Sequence, residues 1–149
     1  LIDPDAIDVL TNTLLAEATT TMATLVRKII DAAEIDNPHT VRVVIDKNRD
    51  ALYFSRAAIP YARDIDKSRW TDHFPYYDHI GIYAYRKEFL LLLTTLPIST
   101  LERAEKLEQL RVLENGYRIK VGFVDVQPIC VDVPDDVERV ERRLRELNR

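Results

Sequence analysis

Two β-rich runs, Val41-Arg42-Val43-Val44-Ile45-Asp46 and Ala51-Leu52-Tyr53-Phe54-Ser55-Arg56, are separated only by a short polar stretch around Lys47-Asn48-Arg49-Asp50. A connection this short between two such runs closes a β-hairpin. The rest of the chain must therefore be built around an antiparallel pair. Downstream, His79-Ile80-Gly81-Ile82-Tyr83-Ala84-Tyr85-Arg86 and Ile119-Lys120-Val121-Gly122-Phe123-Val124 are further strand candidates, with helical stretches between them. Strands alternating with helices around a hairpin predict an α/β fold with a mixed sheet.

The helix signals are local. Asp3 is a good N-cap, Pro4 suits the first helical position, and Asp5 favours the positive end of the helix. Ile7, Leu10, Leu14 and Leu15 recur at helical spacing, so residues 3–17 read as one amphipathic helix closed by Thr19-Thr20-Thr21. Part of Met22–Ile29 reads as a strand, and Asn37-Pro38 as a turn. Residues 59–74, polar and interrupted by proline, read as a loop. Lys87–Thr95 is expected to be a short helix, with Phe89-Leu90-Leu91-Leu92-Leu93 as its buried face. Ser99 followed by Glu102 has capping-box spacing. It opens a predicted helix that runs to Asn115-Gly116, with Leu101, Leu107, Leu110, Val112 and Leu113 on its apolar side. Pro134-Asp135-Asp136 opens the last helix, with Val137, Val140 and Leu144 on one stripe.

Composition excludes several classes of function. With 149 residues, 46% of them hydrophobic, the chain can bury a core and reads as a single domain over 1–149. A net charge of -4 argues against a nucleic-acid surface, which calls for clustered Lys and Arg. No apolar run approaches the roughly 20 residues that span a bilayer. One cysteine, Cys130, allows neither an internal disulfide nor a cysteine-clustered zinc site. These features fit a cytoplasmic protein. The start at Leu1, directly into a helix, reads as a piece of a longer chain.

The three glycines are scattered, so no glycine-rich phosphate loop is present, and no Ser-His-Asp spacing stands out. By residue type, three places are unusual: Arg56 where a strand meets a loop, His79 at a strand start beside Tyr76-Tyr77-Asp78, and Asp132 before a helix. Each has an ordinary structural reading: a solvated arginine, a hydrogen-bonded histidine and an N-cap.

The same places carry a resemblance. Tyr53-Phe54-Ser55-Arg56-Ala57-Ala58-Ile59-Pro60 resembles the segment Tyr-Phe-Ser-Arg-Ala-x-Ile-Pro of the 3-deoxy-manno-octulosonate (Kdo) cytidylyltransferases, or CMP-Kdo synthetases. His79–Arg86 is similar to that family's His-x-Gly-Ile-Tyr-x-Tyr-Arg. Leu101-Glu102 and Leu107-Glu108-Gln109-Leu110-Arg111 are similar to its Pro-Leu-Glu and Leu-Glu-Gln-Leu-Arg. Val131-Asp132-Val133-Pro134-Asp135-Asp136 resembles Val-Asp-Thr-Pro-Glu-Asp. The four match in order and spacing.

The resemblance implies a nucleotide-diphospho-sugar transferase fold, a Rossmann-like α/β/α sandwich that usually dimerises. It implies a reaction that joins CTP and Kdo to give CMP-Kdo and pyrophosphate, serving lipopolysaccharide synthesis. By the same carry-over, Arg56 contacts the sugar acid, and His79, Tyr83, Glu108 and Gln109 bind sugar hydroxyls. Asp132 holds Mg²⁺. The family's Gly-Asp-Glu-Pro metal motif would end immediately before Leu1, and its basic, glycine-containing CTP loop is absent, so this chain carries the sugar side of such a site. Cys130 and Val133 replace the family's usual Gly and Thr. Two other readings remain open: a non-catalytic assembly module of this fold, and a cytidylyltransferase for a related acid such as 8-amino-Kdo or a sialic acid.

Overall fold

A computed structural model describes residues 2–125 and 134–147. Its element order is α1 (Pro4–Leu15), β1 (Met22–Ile29), β2 (Arg42–Ile45), β3 (Ala51–Ser55), α2 (Trp70–His73), β4 (Tyr76–Tyr85), α3 (Lys87–Leu93), α4 (Thr100–Glu105), α5 (Gln109–Glu114), β5 (Lys120–Phe123) and α6 (Pro134–Leu147). Short 3₁₀ turns cover Ala32–Asp36 and Lys67–Arg69.

The five strands form one sheet in the order β3-β2-β4-β1-β5. β2 pairs antiparallel with β3, as the hairpin requires, while β4 runs antiparallel to both β2 and β1. β5 runs parallel to β1, so the sheet is mixed as expected. In the hairpin turn, Asp46 Oδ1 accepts from the N–H groups of Asn48 (2.7 Å) and Asp50 (2.8 Å), and Arg49 takes a positive φ of 63°. A short acidic side chain that binds backbone two and four residues on is what holds such a turn.

Alternation along the strands sorts the core into two faces. From β1, Met22 and Val26 join Val43, Phe54, Phe89, Leu110, Ile119 and Val121 under α3 and α5. Ala23 and Leu25 turn the other way and meet Leu10 and Leu14 of α1, with Ile80 of β4. Ile29 continues that second face into a smaller cluster with Ile35, Ala62, Trp70 and Tyr76. β1 is thus covered on both sides, and the whole of Met22–Ile29 is strand, where its composition marked only part.

Three expectations need correction. Residues 59–74 are not only loop: Trp70, 3% exposed, starts α2, lies parallel to Tyr76 at 5.7 Å and donates from Nε1 to the Ile65 carbonyl at 3.0 Å. A single buried indole gives this polar segment an anchor that periodicity does not reveal. The predicted helix from Ser99 to Asn115 is two helices. Its capping box forms as expected, but Lys106 takes the left-handed conformation (φ 58°, ψ 45°) and ends α4. The break lets Leu107 and Leu110 both enter the core, at 5% and 0% exposure. The leucine run of α3 is not a buried face, since Phe89 is buried but Leu90, Leu91 and Leu92 are exposed.

α1 lies close to β5 because residue 122 has no side chain. A Cβ there would stand 2.6 Å from Thr13 Oγ1 and 2.8 Å from Leu25 Cδ2. Thr13 cannot easily yield, because its hydroxyl donates to the Val9 carbonyl at 2.7 Å. Gly122→Ala is therefore expected to destabilise the fold by about 1–3 kcal/mol, the range for overpacking. A chemical-denaturation curve checks this, and an unchanged midpoint would contradict the close approach.

Candidate functional site

β4 carries two of the predicted site residues, His79 and Tyr83. His79, Tyr83 and Tyr85 alternate onto one face, the one that packs toward α5. The rings of His79 and Tyr83 are 5.5 Å apart, those of Tyr83 and Tyr85 6.0 Å, and Phe54 of β3 meets His79 edge-on at 4.9 Å. Glu108 lies at the start of α5, exposed at its own position. Burial raises the Tyr83 phenol far above its ordinary range, and the Glu108 charge and Tyr85 add to the shift. Tyr85 is raised for the same reasons, burial first and Glu108 second. Both phenols therefore stay protonated and can donate as well as accept.

His79 is positioned by a fault in the ladder. The β1–β4 register slips by two residues between Thr24 and Leu25, which pair with Tyr83 and Ile80. Thr24, fully buried, fills the irregularity. Its Oγ1 lies 2.8 Å from the Ile82 carbonyl and 2.9 Å from His79 Nε2. A carbonyl can only accept, so the hydroxyl proton goes to Ile82 and Oγ1 accepts from His79 Nε2–H. That assigns the Nε2–H tautomer and leaves Nδ1 as an acceptor. Burial pushes the His79 pKa down from its ordinary 6.5 to about 4, so the ring is neutral near pH 7.

Gln109 follows Glu108 but is 2% exposed, and its Oε1 has no hydrogen-bond partner among the described residues. Arg56 stands apart from the β4 group. It is exposed, and its guanidinium reaches the Glu105 carbonyl from Nε (3.2 Å) and the Pro38 carbonyl from Nη1 (3.5 Å). The hairpin end and the α4–α5 junction thus bring Arg56 beside Glu105, three residues before Glu108. Asp132 lies outside the described residues. Among the described residues no three His, Cys, Asp or Glu side chains gather as a metal site. No helix among them is long and apolar enough to cross a membrane.

A cavity of about 330 Å³ lies elsewhere, beside the first residues of β1 and β5, lined in part by Thr19, Thr20, Asp50, Arg118 and Lys120. Its lysine is already engaged: Lys120 Nζ is 3.0 Å from Asp50 Oδ1 and 3.1 Å from the Asn48 carbonyl. None of the predicted site residues lines it.

Sequence reasoning missed Thr24, Glu105 and Arg42. Each acts through a partner at least 14 positions away, and residue type alone gives no sign of that.

Comparison with known proteins identifies the family and the fold. A family model described as cytidylyltransferase matches residues 1–119. A 3-deoxy-manno-octulosonate cytidylyltransferase of Solibacter usitatus is 49% identical over 142 residues, covering 95% of this chain and 54% of that protein. An 8-amino-3,8-dideoxy-manno-octulosonate cytidylyltransferase of Shewanella baltica is 46% identical over 123 residues, covering 83% and 48%. A solved CMP:2-keto-3-deoxy-manno-octonic acid synthetase complexed with CTP superposes with a TM-score of 0.88 at 37% identity, covering 97% of this chain and 57% of that one. The chain spans about half the length of the curated relatives it matches.

The neutral, half-buried His79 links stability to pH. Its folded pKa of about 4 lies below the ordinary 6.5. Between those values the unfolded chain binds a proton that the native state refuses, so stability is lost as pH falls from 6.5 toward 4. The difference corresponds to about 3 kcal/mol. A His79→Gln protein is expected to show a flatter decline of unfolding free energy over that window. Equally steep curves for the two proteins would show that His79 does not titrate as buried.

Proposed function

The chain belongs to the cytidylyltransferase family, and on that premise we propose that it is the sugar-acid side of an enzyme that makes CMP-Kdo from CTP and Kdo. In this reading the anomeric hydroxyl of Kdo attacks the α-phosphorus of CTP. A new P–O bond to the sugar forms as the bond to pyrophosphate breaks, and the hydroxyl proton leaves to solvent or a base. Such a transfer asks for positioning and charge neutralisation rather than covalent chemistry from the protein.

The observation that carries the reading is the convergence of His79, Tyr83 and Glu108 on one face of the sheet. Together they offer a bare nitrogen acceptor, a phenol that donates or accepts, and a carboxylate acceptor. That suits a polyol, whose hydroxyls both donate and accept. Gln109 Oε1 would accept one more hydroxyl. The planar fork of Arg56 would take the sugar carboxylate. The carboxylate of Asp132 is the donor type that a hard cation such as Mg²⁺ prefers. When bound, the cation would offset phosphate charge. A cytoplasmic homodimer serving lipopolysaccharide synthesis belongs to the same reading, and the exposed Leu90, Leu91 and Ile98 offer apolar surface for a second copy.

The test is a coupled assay of pyrophosphate release by the intact protein with CTP and, in turn, Kdo, 8-amino-Kdo and a sialic acid. Kdo is expected to be preferred. Preference for 8-amino-Kdo would move the assignment toward the Shewanella-like relatives, and no turnover with any acid would favour an assembly module. Glu108→Gln is expected to raise the KM for the sugar acid about tenfold, the loss of one charge-assisted bond, and to leave the KM for CTP unchanged. Asp132→Asn is expected to cut turnover by an amount worth about 3–4 kcal/mol with an unchanged melting temperature, because an amide caps a helix as well as a carboxylate but carries no charge. Unchanged turnover and unchanged magnesium dependence would remove Asp132 from the site.

A further inference from the structure

Arg56 is exposed, yet both polar groups of its own backbone are held by charged side chains. Its N–H donates to Glu105 Oε2 at 3.0 Å, and its carbonyl accepts from Arg42 Nη1 at 3.0 Å. The backbone at the end of an edge strand is ordinarily satisfied by water or frays. Here each group has a charge-assisted hydrogen bond, roughly twice as strong as a neutral one.

Both holders are themselves fixed. Glu105 Oε1 accepts from Ser55 Oγ at 2.6 Å, and that same hydroxyl accepts from the N–H of Ala57 at 3.0 Å. Arg42 is fully buried. Besides Arg56 it donates to the carbonyls of Thr40, Glu34 (2.9 Å) and Ile35, while its Nε has no partner among the described residues. No carboxylate among the described residues hydrogen-bonds it. A buried guanidinium spent on main-chain carbonyls fixes the direction of chain segments.

The side chain is constrained as well. Arg56 Nε donates to the Glu105 carbonyl at 3.2 Å, and among the described residues the guanidinium's one other hydrogen bond is the long one from Nη1 to the Pro38 carbonyl. The Nη1–Nη2 edge is therefore the one left for a two-oxygen acceptor.

We infer that Glu105 and Arg42 are positioning residues that clamp the backbone of Arg56 and present its Nη1–Nη2 edge, already oriented, to the carboxylate of the sugar acid. The inference rests on the reading that Arg56 binds that carboxylate. A preformed donor pair avoids the cost of ordering a long side chain when the ligand arrives. Loss of the clamp should thus weaken sugar-acid binding without touching the triphosphate side.

The experiment measures steady-state constants on the intact protein with Kdo and CTP, for Glu105→Gln, Arg56→Ala and the double variant, each with a thermal melt. Glutamine keeps one acceptor oxygen, so either Ser55 or Arg56 loses its partner. Glu105→Gln is expected to raise the KM for Kdo about five- to tenfold, with kcat and the KM for CTP within about twofold. In the Arg56→Ala background the same change is expected to add nothing to the KM, because a residue that acts through Arg56 has nothing left to orient. Ser55→Ala, which frees Glu105 Oε1, should move the KM the same way by less and stands in if Glu105→Gln does not fold. Equal KM effects with and without Arg56 would overturn the clamp and leave the function standing. An Arg56→Ala protein with an unchanged KM for Kdo would overturn the clamp together with the role proposed for Arg56.

Discussion

The pairing of β1 with β4 sets the place of nearly everything else in this fold. β1 is buried on both faces, β4 joins it to the hairpin, and His79 and Tyr83 of the proposed site stand on β4. The ladder between them carries a two-residue slip, and a slip inside a buried sheet strands carbonyls that water cannot reach. Thr24 resolves this with one hydroxyl, which donates to Ile82 and accepts from His79. The structural repair and the choice of histidine tautomer are thus the same interaction. A valine at that position would match the shape of the threonine and lose both effects.

The interior on the opposite side of the sheet is unusually polar. Arg27 is buried between Asp78, at 3.0 Å, and Glu34. Burial raises the Asp78 carboxyl, and the Arg27 charge pulls it back down. Burial likewise pulls Arg42 below the ordinary arginine range, opposed by Asp78 and Asp36. Buried pairs of this kind add little net stability over well-packed apolar residues, but removing one member leaves a charge stranded, at a cost of about 3–5 kcal/mol. Their effect is to fix geometry. They hold the 3₁₀ turn, the start of β2 and the end of β3 in one arrangement, and Arg56 extends from the last of these.

Much of the architecture was legible because its signals are local. The hairpin, the N-cap at Asp3, the capping box at Ser99 and the stop at Asn115-Gly116 all appear where short-range chemistry puts them. The mixed sheet followed from a hairpin among alternating helices and strands. What stayed hidden depends on distant partners. The helix break at Lys106 is set by where Leu107 and Leu110 find the core, and the small helix at Trp70 by stacking on Tyr76. The site was legible only by resemblance: residue types alone left Arg56 and His79 with ordinary structural readings. The tautomer of His79 and the grip of Glu105 on Arg56 needed coordinates.

The left-handed turn at Lys106 also separates two neighbouring carboxylates. Glu105 and Glu108 are three residues apart, and on an uninterrupted helix they would share one face, about 5–6 Å from each other. Two negative charges at that spacing repel. Because one residue adopts the opposite hand, Glu105 turns to the hairpin and Glu108 to the β4 tyrosines. The chain thus converts a separation of three in its linear order into two opposed directions, one toward the hairpin and one toward β4, and the element that enforces it is the chirality of a single torsion pair.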